Sequence, residues 1–396
     1  MSIGYYRRLG WLFKRDIRKF FPAVRLRTGL DHKLQKYYKR KNGYSGMPLT
    51  VGVRLSYRCN LRCIQCGQWG SQGIFKDVNP DELAREELSL EEIKNFIDEI
   101  SDFKPYIYFT GGEPLMREDV FEIIEYASSK HMLTGMSTNA TLLKDKAEEL
   151  IESGLDYLYT SLDAVDELDT QIRRGNNSFH KALEGIQEVT HLRDVVGVGL
   201  PIIQVQTIIV NENQGELFSI GRYIEENIMP DVWGVQLCVF TTTREYERGR
   251  KLFLDKYGIE PIHWKGFIQD STKNAELDVL NRQLEEIKSY DWDFRLRLYS
   301  PLEVKDFDVG TYFQDTEKTF IDYPCMYPWA FAQIQPDGGV AFCGSQPDYV
   351  IGNIRDECFK NIWNNYKARQ FRRDIQKNPL PFCSRCFGLH IFSKYK

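Results

Sequence analysis

Cys59, Cys63 and Cys66 share one short loop with the spacing C-x3-C-x2-C, directly after the first stretch of the chain that alternates like a β-strand. Cys325, Cys343, Cys383 and Cys386 form a second group near the other end, and of nine cysteines only Cys238 and Cys358 fall outside the two groups. In a reducing compartment, cysteines clustered in this way argue for metal rather than disulfides. A cubane [4Fe–4S] cluster takes four thiolates. Three thiolates from one loop leave such a centre one protein ligand short, and an open position is where a metal centre binds and activates another molecule. Whatever this chain folds into must hold the ends of that loop still.

The rest of the composition sets the class. With 396 residues, 42% hydrophobic and 13% aromatic, the chain can bury a large core, in one large domain with a smaller one beside it. No apolar run approaches the roughly 18–20 residues of a membrane-spanning helix, and no apolar segment at the N-terminus leads to a small-residue cleavage site. The expectation is a cytoplasmic, soluble protein. Charge is uneven: the whole chain carries 52 − 56 = −4, but residues 1–48 hold 13 Lys and Arg against Asp16 and Asp31, or +11, which leaves −15 for the remainder. Leu9, Leu12, Phe13, Ile17, Phe20, Phe21 and Val24 recur at helical spacing within this leader, opposite Arg7, Arg8, Lys14, Arg15, Arg18 and Lys19. Such a basic amphipathic helix has two natural placements. It docks on its own catalytic domain, or it lies through residues 5–28 on an anionic membrane surface, peripheral to the inner face. The acidic body gives no reason to expect a nucleic-acid partner.

From residue 48 strands alternate with helices. Val51–Leu55, Tyr106–Phe109, Met132–Ser137, Tyr157–Ser161, Ile202–Val210 and Val235–Phe240 read as strands. Helices are expected near 118–130, 143–153, 179–193 and 215–227, and Ser89 with Glu92 forms a capping box ahead of another. Six strands joined by helices imply right-handed βαβ units in an α/β fold: a parallel sheet curved into a partial (β/α)6 barrel, with reactive groups on the loops at the strands' C-terminal ends. The expected organisation is a leader at 1–47, a core at 48–240, a connector at 241–320 with helix around 276–289, and a cysteine-rich module at 321–396 opened by a hairpin at Asp337-Gly338-Gly339.

The segment Ser56-Tyr57-Arg58-Cys59-Asn60-Leu61-Arg62-Cys63-Ile64-Gln65-Cys66 resembles the cluster-binding signature of the radical S-adenosylmethionine (SAM) superfamily. Gly111-Gly112-Glu113-Pro114, after the second strand, matches that family's GGEP segment. The resemblance covers roughly residues 48–240 and implies a [4Fe–4S] cluster on Cys59, Cys63 and Cys66 with SAM at its open iron. It implies that Gly111, Gly112, Glu113 and Pro114 hold the SAM amino group. It further implies that Ser137 and Asn139, ending the third strand, and Ser161 and Asp163, ending the fourth, contact the SAM carboxylate and ribose. Arg173 and Arg174 would pair with the carboxylate, and Asn211 after the fifth strand is a weaker candidate. Flavodoxin or ferredoxin is the electron donor such enzymes use.

Four thiolates from a hairpin and a later Cys-x2-Cys can close a zinc site as readily as a cluster. The layout resembles the SPASM/twitch extension of radical SAM enzymes, supported by Ile351-Gly352-Asn353-Ile354 and Ile362-Trp363, and is similar to that of 2-deoxy-scyllo-inosamine dehydrogenase. That resemblance implies one auxiliary [4Fe–4S] cluster on Cys325, Cys343, Cys383 and Cys386, accepting the electron left on a substrate after hydrogen abstraction. Cys358 is expected to be a buried structural thiol. Cys238, expected mid-strand and facing inward, is the candidate hydrogen donor if the enzyme is an epimerase. The leading expectation is an oxidoreductase acting on a small polar substrate, sugar-like or lipid-linked. The alternative is a peptide- or protein-modifying maturase.

Overall fold

The computed structural model describes residues 10, 14, 16–19, 32–270, 276–299, 301–304, 307–320, 325–344, 347–386 and 388. After helix α1 (His32–Lys39) come β1 (Thr50–Arg54), α2 (Leu90–Ile100), β2 (Tyr106–Thr110), α3 (Val120–Ser129), β3 (Thr134–Thr138), α4 (Ala147–Glu152) and β4 (Tyr157–Ser161). Two helices, α5 (Asp166–Arg173) and α6 (Ser178–Val196), lead to β5 (Ile202–Ile209), α7 (Leu217–Asn227) and β6 (Val232–Leu237). Then follow α8 (Thr243–Tyr257), α9 (Leu277–Ser289), β7 (Arg295–Leu298) and α10 (Val309–Gln314). The C-terminal part holds α11 (Tyr327–Ala330), β8 (Phe331–Ile334), β9 (Gly339–Ala341), β10 (Gly352–Asn353), α12 (Phe359–Trp363) and α13 (Tyr366–Lys377).

The strands form one sheet of ten, in the order β10-β9-β8-β1-β2-β3-β4-β5-β6-β7. Every neighbouring pair from β8 through β7 is parallel, and the β8–β9–β10 meander is antiparallel. The six expected strands are the centre of this sheet. It extends beyond them on both sides, with β7 drawn from the 241–320 stretch and β8 from the cysteine-rich region. Val51, Val53, Ile107, Phe109, Met136, Leu158, Ile203 and Val205 alternate onto one face and are buried in a single core with Ile93, Ile97, Ile124, Leu150, Ile186 and Ile224 of the surrounding helices. The capping box forms as expected: Ser89 Oγ accepts from Glu92 N at 3.3 Å, and Glu92 Oε2 accepts from Ser89 N at 2.7 Å. The Asp337-Gly338 hairpin also forms, with Gly338 at φ +85° and its amide 3.0 Å from Gln335 O.

Strand β6 begins three residues before the expected position. Val232 and Trp233 are buried, and Trp233 packs edge-on against Trp292 at 5.3 Å between ring centroids, which anchors the start of the strand. Cys238 therefore follows the strand instead of lying within it.

Most of the expected leader helix, including Leu9, Leu12, Phe13, Phe20, Phe21 and Val24, lies outside the described residues. Residues 16–19 dock on the barrel. Lys19, 2% exposed, places Nζ 2.7 Å from Asp156 Oδ2 and 3.3 Å from Ser128 Oγ, and Asp16 Oδ2 lies 2.9 Å from His131 Nδ1. Among the described residues no helix is long and apolar enough to cross a membrane. Residues 43–46 are pinned to the C-terminal region: Trp363 Nε1 donates to Gly46 O at 2.6 Å, and the buried Arg372 donates to Gly43 O and Pro328 O.

Candidate active site

The chain leaves β1 at Leu55, whose amide continues the ladder by donating to Thr110 O at 2.8 Å, and enters the three-cysteine loop. The far side of that loop is fastened to the end of α5, where Ile64 N donates to Ile172 O at 2.9 Å and Arg62 N to Arg173 O at 3.2 Å. Cys59, Cys63 and Cys66 are each partly exposed. Backbone amides face two of the sulfurs: Leu61 N is 3.4 Å from Cys59 Sγ, and Trp69 N is 3.4 Å from Cys66 Sγ. Burial pushes the Cys59 thiol up to about 11 and the Cys63 thiol up to about 12, and in both cases Cys66 close by raises it further. Cys59 and Cys63 therefore favour the protonated thiol until a metal centre replaces their protons. Among the described residues no three His, Cys, Asp or Glu side chains converge on one point that could hold a single ion. A cubane takes thiolates at separate corners and needs no such convergence.

Gly111 and Gly112 lie against the backbone of the cysteine loop. A Cβ on Gly111 would sit 2.4 Å from Ser56 O, and one on Gly112 would sit 2.1 Å from Arg58 O, so only glycine fits. Gly112 N donates to Ser56 O at 2.8 Å and Glu113 N to Arg58 O at 2.7 Å. Glu113 is fully buried, and its carboxylate accepts from Leu115 N (3.0 Å), Thr138 Oγ1 (2.7 Å) and Asn139 N (2.7 Å). Both of its oxygens are thus spent on joining the β2 loop to the β3 loop. Burial raises its pKa despite those donors. Pro114 opens a single 3-10 turn.

At the end of β3, Ser137 Oγ hydrogen-bonds the Tyr108 hydroxyl, and Asn139 Nδ2 donates to Asn60 Oδ1 at 2.8 Å while lying 4.0 Å from Cys59 Sγ. Ser161 ends β4 partly exposed. Asp163 is fully buried. Its Oδ2 accepts from Gln65 Nε2 (2.7 Å) and Arg173 (2.8 Å), and its Oδ1 accepts from Ile208 N (2.8 Å). Arg173, 4% exposed, is also 3.4 Å from Asp169. Asp163 and Arg173 spend these contacts on each other and on the loop between Cys63 and Cys66. Arg174 is exposed in a left-handed C-cap, φ 51°. After β5, Asn213, which sequence reasoning passed over, ties the loop ends together: its Nδ2 donates to Asp163 O at 2.7 Å and Ile208 O at 2.8 Å.

Cys238 N donates to Ile209 O at 3.1 Å, just beyond the end of β6. Burial pushes its thiol up to about 12, against a hydrogen bond from Gln269 Nε2, which lies 3.8 Å from the sulfur.

In the second group Cys325 and Cys386 both flank Gly388: Cys325 Sγ lies 3.9 Å from Gly388 O, and a Cβ on Gly388 would lie 3.5 Å from Cys386 Sγ. Burial pushes Cys383 well above the ordinary thiol range, and Cys386, Cys325 and Cys343 each push it further. Cys325 is raised to about 12 by burial and then by Cys386. Cys358 does not join them. It is exposed at the N-cap of α12, which corrects the expected buried thiol: the cap position turns it outward from the helix start.

Both cysteine-bearing stretches fall within regions that resemble known protein families. Residues 53–208 match the radical SAM superfamily and residues 325–387 match the SPASM iron–sulfur cluster-binding domain. An Fe-coproporphyrin III synthase of Methanosarcina barkeri is 32% identical over 391 residues, 93% of this chain and 88% of the relative. The chain belongs to the radical SAM superfamily. A PqqA peptide cyclase of Bradyrhizobium diazoefficiens is 32% identical, across 82% of this chain and 74% of its own. Among solved structures, Streptococcus suis SuiB bound to S-adenosylmethionine shares the fold at TM-score 0.59 and 15% identity, covering 94% of this chain and 83% of that one. As a radical SAM enzyme with a SPASM domain, the protein uses SAM and [4Fe–4S] clusters.

In this radical SAM enzyme the sheet face opposite the helices is polar. Tyr106 donates to the Tyr159 hydroxyl at 3.3 Å, and Gln204 Nε2 donates to the Tyr299 hydroxyl and Gln206 Oε1, each at 2.8 Å. Glycines within the strands make room: a Cβ on Gly135 would lie 1.8 Å from the Tyr106 hydroxyl, and one on Gly234 would lie 2.4 Å from Gln206 Oε1. Tyr327 stacks on Phe331 at 4.5 Å between ring centroids, and a Cβ on Gly388 would lie 3.5 Å from both the Tyr327 ring and Cys386 Sγ.

Proposed function

We propose that this radical SAM enzyme dehydrogenates a small polar substrate bound in the barrel lumen. In this reading Cys59, Cys63 and Cys66 hold the first cluster, and Cys325, Cys343, Cys383 and Cys386 hold the second. The backbone of Gly111 and Gly112, with Pro114, Ser137, Asn139 and Ser161, faces SAM. Glu113, Asp163 and Arg173 act as positioning residues that lock the loops around it. When bound, the first cluster with SAM supplies a hydrogen-abstracting 5′-deoxyadenosyl radical, and the second supplies an acceptor for the electron left on the substrate. Flavodoxin or ferredoxin is the proposed source of the initiating electron.

The observation that carries this reading is the lumen itself. A tyrosine- and glutamine-lined face running from the three-cysteine loop toward the four-cysteine group suits a substrate rich in hydrogen-bonding groups. The test uses anaerobic, cluster-loaded protein reduced with dithionite in the presence of SAM, with 5′-deoxyadenosine and product followed by mass spectrometry. Dehydrogenation yields one 5′-deoxyadenosine per product, and the product carries one more double bond than the substrate. An isomeric product that takes up deuterium from D2O overturns it in favour of epimerisation with Cys238 as hydrogen donor.

The two relatives support a second reading of the substrate. One is named for an iron–coproporphyrin and the other for a peptide, and either molecule is larger than a sugar. A substrate of that size would insert one side group into the lumen and leave the remainder at its mouth. Coproporphyrin III or a peptide that raises the rate of 5′-deoxyadenosine release, where free sugars do not, would establish that reading.

A further inference from the structure

Arg54 ends β1 and Gln335 follows β8. The ladder pairs Val53 with Ile334, so these next residues stand side by side at the C-terminal edge of the sheet. They share the lumen face with Gly52, where an added Cβ would lie 2.9 Å from Gln333 Oε1. Both are buried, Arg54 at 8% and Gln335 at 3% exposure. Arg54 Nη1 donates to Gln335 Oε1 at 3.1 Å, and the Tyr57 hydroxyl donates to the same oxygen at 2.9 Å. The Tyr57 ring lies 5.5 Å from the guanidinium carbon. With Oε1 engaged twice, the Gln335 amide is fixed, and its Nε2 has no partner; neither does Arg54 Nε. Among the described residues no carboxylate pairs with this guanidinium.

A buried cation with idle donors is costly unless an anion completes it. Two N–H groups from a guanidinium and a neighbouring amide match a group with two acceptor oxygens, and a single positive charge matches a monoanion better than a phosphate dianion. The position is also telling. Arg54 lies five residues before Cys59, and Gly344, next to Cys343, would bring a Cβ within 3.7 Å of Arg54 Nη2. We infer that Arg54 and Gln335 form a carboxylate-binding fork that anchors an acidic substrate group between the two iron–sulfur sites. The inference rests on the lumen being the substrate site. The carboxylate could belong to a tetrapyrrole acid or to a peptide.

The test is equilibrium dialysis of radiolabelled glutarate against the cluster-loaded, full-length protein, with its neutral isostere glutaramide as control. Glutarate should bind wild type about tenfold more tightly than glutaramide does, and about tenfold more tightly than it binds Arg54→Gln. Arg54→Lys should restore part of the loss by returning the charge without the fork. Gln335→Leu, which keeps the cation, should weaken glutarate by a smaller factor. The wild-type comparison decides even if Arg54→Gln fails to load its clusters. Displacement by coproporphyrin III assigns the acid to a tetrapyrrole, and displacement by N-acetyl-Gly-Glu-Gly-amide assigns it to a peptide. Equal binding of acid and amide by wild type, or equal glutarate binding by wild type and folded Arg54→Gln, overturns the fork. Failure of wild type to release 5′-deoxyadenosine from SAM overturns instead the functional reading beneath it.

Discussion

Gln65, between two cysteines of the first loop, donates to Asp163 across 2.7 Å, and Asp163 in turn receives Arg173 at 2.8 Å. Through this buried carboxylate the cysteine loop, the end of β4 and helix α5 become one rigid unit. Asp163→Ala would leave the Arg173 guanidinium, 4% exposed, with only the more distant Asp169. Breaking a buried pair costs about 3–5 kcal/mol. The expected outcomes are a lower unfolding midpoint in urea and a first-cluster EPR signal that no longer shifts when SAM is added. A changed midpoint with an intact SAM-induced shift would show that Asp163 serves only the fold.

The two thiol groups should load independently. Reconstituted wild type should bind about eight irons, as two four-iron cubanes. Cys63→Ala should lose about half of that iron together with all SAM cleavage. Cys383→Ala should lose a similar share yet keep the SAM-dependent EPR change. Zinc in place of the second half of the iron would refute an auxiliary cluster.

Gly112→Ala drives a methyl group into Arg58 O, where a Cβ would lie 2.1 Å away. The loops must separate, so SAM affinity should fall by about tenfold or more, read by the SAM-induced EPR change across a titration.

Glu92 caps α2 and bonds Arg355 at 2.6 Å, and that bond, helped by the Ser89 amide, holds its carboxyl at about 2. A depressed carboxyl stabilises the fold above its unfolded pKa of about 4.3 and loses that contribution as pH falls toward the folded value. Urea midpoints between pH 5 and pH 3 should therefore fall more steeply for wild type than for Arg355→Ala. The pair is partly exposed, so the difference should be modest and should shrink in salt.

Lys19→Ala removes the buried partner of Asp156, which lies 2.7 Å away. The cost should again be about 3–5 kcal/mol in thermal or urea unfolding, far beyond what a surface lysine contributes. A midpoint unchanged from wild type would show that the leader does not dock there.

Much of this was legible in the chain. The strands of the centre alternate cleanly because one face packs on helices, and the loop, the GGEP segment, the capping box and the Asp-Gly hairpin are each local. What escaped depends on partners distant in sequence. Strand β6 was displaced because its start is set by Trp233 against Trp292. Strand β7, Arg-Leu-Arg-Leu, is short and charged and gains its place only from pairing with β6. The bond between Asp163 and Arg173 is not visible locally, because ten residues separate them. Arg54 reads as one more polar residue in a strand until β8 brings Gln335 beside it.

The parallel pairing of β1 with β8 fixes how this enzyme can breathe. β1 runs into the three-cysteine loop, Cys325 precedes β8 and Cys343 follows β9, so both cysteine groups adjoin one backbone ladder whose neighbouring strands keep a spacing of about 4.8 Å. No hinge can open on that side without breaking the ladder's hydrogen bonds, so the sheet itself holds the two cysteine-bearing segments in register. The opposite margin has no such tie, because β7 pairs on one side only and ends the sheet.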